Sequence, residues 1–459
     1  MPEAHARPGW FRTGCAIFQA CRAIFGCLTA AIIGAARIAF TDQVTITPPA
    51  DNECNCGSPI RCRHATPPHQ PQFCLRQAPD HTTLTDSFLL AHRLTDIDPG
   101  DWNALAGGHP FLRHEYLLAM EEAGCAVPDT GWAPHYLLLR RDGRLAGALP
   151  LYLKSHSRGE YVFDFAWAQA FAEHGLEYYP KLLGAVPFTP VPGPRLLARG
   201  QADRIQLARQ AVRLAHDNHL SSLHILFPSD EDRAALAEAG FMFRENVQFH
   251  WFNRGYETYE EFLAGMSQPK RKKIRQDTKK VAQAGIRFRW LQRDAIDDSA
   301  LRFFVRCYEH TYLDHGNPPY LNLDFFGRLR RDMPGSLVLI VAELDGEPVA
   351  SALNLRDDTT LYGRYWGAVG FVPGLHFETC YMQSIRFCIA EGLQVFEGGA
   401  QGEHKLSRGL EPVRTCSAHW IRDRRFAEAI DRHLQRETPA VREYAEVLHR
   451  HSPYRQTRR

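Results

Sequence analysis

The 459-residue sequence has almost no net charge, no long uninterrupted apolar run and none of the common nucleotide-binding signatures. A formal net charge of +2 removes any bulk attraction to nucleic acid or a lipid surface, so a basic footprint has to be local. The one stretch that resembles a targeting or membrane segment, "GCAIFQACRAIFGCLTAAIIGAARIAF" at 14–40, is interrupted by Arg22 and Arg37. Its apolar run of about 14 residues is too short to span a bilayer and is closer to a signal-peptide core. No G-K-[ST] follows a glycine-rich turn and no Rossmann glycine spacing occurs, which excludes a P-loop and a dinucleotide fingerprint.

Seven of the twelve cysteines fall in the first 74 residues, and the other five lie far apart in apolar or helical contexts. That dispersal fits a reducing compartment and free thiols acting as small hydrophobes. The segment "CNCGSPIRCRH" at 54–64 offers thiolates and an imidazole, but C-x-C-x5-C-x-H is no common zinc spacing, and no metal site is expected. Residues 41–80 are rich in Pro, Gln, Asn and Cys and lack periodicity. Residues 1–84 are therefore expected to be a low-order extension, a tail or translation from an upstream start codon, with a signal or anchor as the alternative.

What is present from residue 85 onward is average globular composition, 44% apolar and 23% charged, long enough for two or three domains. "FLRHEYLLAMEEAG" (111–124) predicts a helix, and "HYLLLRRDGRLAGALPLYLK" (135–154) a hairpin about Asp142-Gly143. Helix (204–220), strand (221–229), helix (230–241) and alternating strand (245–256) follow. The order then recurs: a helix at 301–316, a hairpin about Asp345-Gly346, a strand at 359–369, a helix at 376–393 and a strand at 394–401. Two copies of one mixed α/β unit are expected, 85–250 and 251–459.

Four segments carry candidate chemistry. "PKRKKIRQDTKKVAQAG" (269–285) predicts a helix opened by Pro269, with seven Lys/Arg against Asp277 alone between 270 and 280, a net +6. Lys270, Arg271, Lys272 and Arg275 are candidates for phosphate, although no aromatic is interleaved to stack bases and a solvated basic face is the plain alternative. The long connection between 151 and 197 is too aromatic for disorder and offers Lys154, Glu160, Trp167, Tyr179 and Lys181. The alternating strand adds Gln248 and His250. "GRYWGAV" (363–369) places Arg364 and Trp366 on one face and Tyr365 on the other, ahead of a helix start flanked by His376 and Glu378. "FEGGAQGEHKLSRG" (396–409) follows a buried strand, where ligands collect in α/β folds. There Glu397, Glu403 or His404 could handle a proton, while Gln401, Lys405 and Arg408 meet an anionic substrate. Close strand packing at the glycines is the structural alternative.

These motifs, with "LYGRYWG", "HFETCYMQSI", "YYPKLL" and "VPFTPVPGPRLL", resemble the FemAB-like family of peptidoglycan biosynthesis or recognition proteins over residues 90–455. The resemblance implies an α/β (mixed α+β) fold of two tandem GNAT-like acyltransferase domains, each a mixed, mostly antiparallel sheet flanked by helices. It implies N-acyl or aminoacyl transfer to an amine, of a peptidoglycan precursor or related small molecule, in the cytoplasm. The turn "RYWGAVGFVPG" lacks the Q/R-x-x-G-x-G/A spacing of CoA-using GNAT domains. Acyl-CoA and aminoacyl-tRNA thus both stand as possible cosubstrates, with no bound cofactor expected. A noncatalytic module recognising a cell-wall precursor or nucleotide is the other reading.

Overall fold

The computed structural model describes residues 86–400 and 402–455. The expectations for residues 1–84, the zinc-like segment included, and for Gln401 lie outside these. Among the described residues, the thirteen strands are β1 (Asp86–Ala91), β2 (Trp132–Arg141), β3 (Arg144–Lys154), β4 (Lys181–Gly184), β5 (Leu197–Ala198), β6 (Ser222–Leu226) and β7 (Met242–Phe252), then β8 (Ile286–Gln292), β9 (Leu337–Leu344), β10 (Glu347–Arg356), β11 (Thr360–Ala368), β12 (Val395–Ala400) and β13 (Glu411–Ile421). All belong to one mixed sheet flanked by helices.

Both Asp-Gly hairpins form where the sequence puts them. Asp142 and Gly143 have φ of 51° and 78°, Asp345 and Gly346 of 53° and 86°, the double left-handed turn whose twist matches paired strands. The turns join Arg141 to Arg144 and Leu344 to Glu347 in direct register. The basic helix runs Gln268–Gln283 with Pro269 in its first turn, burying Ile274 and Val281 as its apolar stripe. The long connection is ordered, and contains a helix (Phe165–Glu173) together with β4 and β5.

Strand order is β1-β2-β3-β4-β6-β13-β7-β12-β11-β10-β9-β8, with β5 beside β3. Read from either edge, the series is the same: an edge strand (β1 or β8), a hairpin pair, the two parallel strands β4/β6 or β11/β12, then a final strand. The final strands are exchanged. β7, which follows β6 in the chain, pairs with β12, while β13 pairs antiparallel with β6 from Ser417↔Leu226 to Ile421↔Ser222. β7 and β13 pair with each other from Glu411↔His250 to His419↔Met242, closing the centre. The junction expected at residue 250 thus falls inside a strand that the second half needs.

Helices complete the interlock. One core cluster holds Phe111 and Tyr116 of the first half together with Phe325 and Tyr362 of the second. The C-terminal helix Arg424–Arg450 buries Phe426, Ile430 and Leu434 beside Trp167 and Tyr178, and Ala445 and Leu448 beside Phe249 and Phe262. Among the described residues no helix is long and apolar enough to cross a membrane.

Expressed alone, residues 85–250 lack the strand that separates β6 from β7. This fragment is expected to show no cooperative thermal transition, whereas coexpression with 251–459 restores one. An isolated first half that melts as sharply as the full chain would refute the exchange.

Candidate functional site

β11 and β12 run parallel and pair over only three residues each, Thr360↔Val395 to Tyr362↔Glu397. Beyond that point they part, and the helical segment 375–390 starts at their C-terminal ends, as an α-turn (Leu375–Phe377), a π-turn (Glu378–Met382) and a regular helix (Gln383–Ala390). Such a parting between parallel strands is where α/β folds leave room for a ligand.

A β-bulge decides what faces the gap. Leu353 opposes Tyr365 and Asn354 opposes Gly363, so Arg364 is the extra residue of β11. The face assignment from the sequence is corrected accordingly. Arg364 lies over the Phe111 and Tyr362 rings, at 4.8 and 5.5 Å, while Trp366 packs beside His376, 5.2 Å between centroids. Tyr365 is buried against Tyr308 and Phe326.

Arg364 Nη2 donates to Glu397 Oε1 at 2.8 Å, and both side chains are nearly inaccessible. Burial pushes the Glu397 carboxyl above its ordinary range even against this guanidinium. In register with Glu397 on β7 stands His250, pushed down to about 3 by burial, then by Arg364 and Lys405. Its Nε2 is 3.2 Å from Gln248 Oε1, and Gln248 Nε2 donates to the Pro190 carbonyl at 2.7 Å. Two halves of the chain therefore meet at one buried polar centre.

The glycine-rich segment is no loose loop: Glu403–Arg408 form a 3-10 helix with Lys405, Leu406 and Arg408 buried. Lys405 Nζ donates to the carbonyls of Gly398 and Gly399 at 2.7 and 3.1 Å, and burial pushes it down to about 8 despite Glu397. His404 is exposed, with Nε2 3.3 Å from the Tyr381 hydroxyl. Burial, then Lys405 and Arg408, hold it below the ordinary histidine range. Burial and the neighbouring His404, Lys405 and Arg408 push His376 down to about 4. Glu403 turns away, accepting from the Tyr444 hydroxyl of the C-terminal helix at 2.7 Å.

The basic helix touches this centre from behind. Arg408 Nη2 lies 3.4 Å from Asp277, and Thr278 Oγ1 donates to Glu378 at 2.7 Å. Its outer face presents a groove of about 350 Å³ along Gln268, Arg271, Lys272, Arg275, Gln276 and Lys279, with Lys270 exposed nearby. Arg275 is paired with Glu260 and Lys273 with Asp277, which leaves Arg271, Lys272 and Lys279 of the groove without an acidic partner among the described residues.

The residues taken from the long connection form a separate buried group. Lys181 Nζ donates to Ser157 and Glu160 at 2.8 Å each and to Asp164, while Ser157 meets the Tyr179 hydroxyl at 2.8 Å. Lys154 sits 3.8 Å over the Trp132 ring. Burial pushes Lys154 down and Glu160 up, each to about 7. Tyr178 joins Asp164 to His224, and His224 Nδ1 is 2.8 Å from His419 Nδ1, with Trp167 packed over both imidazoles.

A family model described as peptidoglycan biosynthesis/recognition matches residues 93–456. The chain belongs to the FemAB-like family. The match takes in β2 to β13 and both buried centres of this FemAB-like protein, leaving out only the edge strand β1. No curated protein matches it in sequence. Among solved structures, FemX is similar at 11% identity, covering 72% of this chain and 97% of its own, with a TM-score of 0.47. The C-terminal domain of a putative lysylphosphatidylglycerol synthetase from Agrobacterium fabrum is similar at 10% identity, covering 73% and 94%, TM-score 0.47. A tandem GNAT protein from the clavulanic acid biosynthesis pathway is similar at 13% identity, covering 74% and 99%, TM-score 0.42.

Sequence reasoning missed Phe111, Tyr381, His224 and His419 as members of these centres. The two histidines had a signal, each being a polar residue inside a strand otherwise fit for burial, "SSLHILF" and "SAHWI". Phe111 and Tyr381 had none, because only the tertiary fold brings them in.

Replacing Arg364 with Met strands a buried carboxylate. The expected loss is about 3–5 kcal/mol in urea unfolding, with most of it recovered when Glu397→Leu is added. A single variant as stable as wild type would show that the pair contributes nothing to folding.

Proposed function

We propose that this FemAB-like protein transfers an acyl or aminoacyl group from an activated donor to an amine, in the gap where β11 and β12 part. The observation that supports this reading most is one turn carrying a solvent-accessible, neutral His404 and a buried cationic Lys405 beside the Glu397–Arg364 pair.

The chemistry asks for three things. The amine must attack with its lone pair free, a base must take its proton as the N–C bond forms, and positive charge must meet the oxyanion before the acyl–donor bond breaks. His404, depressed below the ordinary range, is unprotonated at neutral pH and takes the proton, passing it to the departing donor group. Tyr381 fixes the ring. Lys405 is a fixed charge rather than a mobile one, since its ammonium is tied to two carbonyls of β12. Arg364 and Glu397 hold β11 and β12 in place, with His250 and Gln248 behind them. Glu403 serves the C-terminal helix, and the base role passes to His404.

The phosphates of the donor or precursor fit the outer face of the basic helix at Arg271, Lys272 and Arg275, with Lys270 at its start. The donor is acyl-CoA or aminoacyl-tRNA, and the acceptor is an amine of a peptidoglycan precursor or a related small molecule in the cytoplasm. Lys154, Glu160, Lys181, Trp167 and Tyr179 form a second polar centre, with both lysines and Glu160 buried.

A thermal-shift panel of acyl-CoAs, aminoacyl-tRNA and UDP-linked muropeptides, followed by turnover of any hit, tests the reading. Muropeptide binding without turnover of any donor would make the protein a recognition module instead. With a substrate in hand, His404→Gln is expected to slow turnover roughly 10²–10⁴-fold.

The pH profile has a definite sign. His404 must be unprotonated, so the rate rises with pH through its lowered pKa; Lys405 must be charged, so the rate falls as pH passes about 8. Lys405→Arg moves the alkaline limb up, and a limb that stays in place excludes Lys405 as its source.

A further inference from the structure

The turn 369–374, between β11 and the helical segment that follows, exposes apolar side chains beside the most basic part of the chain. Phe371 is 91% exposed and Val369 43%, and Leu313, at the end of the helix Asp298–Asp314, is 65% exposed. Leu313 follows His310 by about one turn, and a His310 ring nitrogen lies 3.1 Å from the Ala368 carbonyl, which brings that helix end to the same corner. Single exposed apolar residues are ordinary on a protein surface. Three at one corner, one of them an almost fully exposed phenylalanine, ask for a partner.

The corner adjoins the basic helix. A Cβ at Gly374 would lie 3.4 Å from Val281 Cγ2, so the turn abuts the last helical turn, where Lys279 and Lys280 are exposed. Neither lysine has a carboxylate in salt-bridge reach among the described residues, and the same holds for Lys270 and Lys272 at the other end. Nucleic acid and membrane both offer rows of phosphates. Val369 and Leu313 have no ring to stack on a base, whereas all three apolar side chains gain by leaving water at the acyl boundary, with basic residues on the headgroups.

We propose that this corner is a peripheral docking surface for an anionic phospholipid membrane, Phe371 entering the interface and Lys279 and Lys280 meeting the headgroups. The inference rests on the phosphate reading of the basic helix given above, not on the transfer chemistry. Because the turn begins at the C-terminal end of β11, docking sets the gap between β11 and β12 beside the lipid.

The full-length protein is sedimented with phosphatidylcholine vesicles containing phosphatidylglycerol and with phosphatidylcholine alone. Retention is expected on the anionic vesicles, weakening as salt is raised. Phe371→Glu is expected to lower the partition coefficient roughly tenfold, and Lys279→Gln and Lys280→Gln roughly fivefold each. All three positions are exposed, and unchanged melting of the variants separates lost docking from lost folding. Sedimentation of the variants equal to wild type places any lipid contact elsewhere and overturns the proposal. So does an absence of vesicle binding together with salt-sensitive tRNA binding that these variants abolish, which assigns the corner to nucleic acid. Vesicle retention is read without turnover, so an inactive wild-type protein would sink the transferase reading and leave docking standing.

Discussion

Two antiparallel neighbours, β7 and β13, hold the molecule in one piece. Each is the last strand of one half by chain order and a member of the other half's sheet by hydrogen bonding. The register of that exchange puts His250 opposite Glu397 and sets Gln248 where it can brace Pro190 of the first half. Had each final strand stayed at home, the gap between β11 and β12 would lack its back wall. The candidate site is therefore a product of the exchange, with Phe111 and Pro190 contributed from one half and Arg364, Glu397 and Lys405 from the other.

Electrostatics at that centre have a single sign. His250, His376 and His404 are all held below their ordinary range, by burial first and then by some of the cations Arg364, Lys405 and Arg408. Burial is the larger cause for all three, and the neighbouring cations, partly balanced by Glu397 and Asp277, push the same way. Ion pairs this deep cost desolvation energy that apolar residues of the same size would not. Strongly perturbed groups gathered at a strand junction are more typical of a working site than of a structural one.

Much of the scaffold was legible in the chain. Both Asp-Gly turns, the Pro269 helix start and the recurring helix–hairpin–strand order are local signals, and each appears where its chemistry requires. The exchange was not legible, because pairing of β13 with β6 is a contact between residues about 200 positions apart that leaves no local mark. Arg364 was misplaced because alternation along a strand assumes no bulge, and the extra residue at that point moves it away from Trp366. The glycine-rich segment was correctly placed beside a buried strand, but its side chains are distributed differently from the reading of the sequence. Lys405 and Arg408 are packed inside rather than displayed, and Glu403 turns to Tyr444 of the C-terminal helix.

The position of β13 also sets a timetable. A chain made from its N-terminus completes β6 and β7 long before residues 411–421 exist, and β6 has no other neighbour on that side. During synthesis the first half must wait with an unpaired sheet edge at the centre of the future fold, a template for wrong partners. Only when residues 411–421 have left the ribosome can β13 enter, so the two halves become native together.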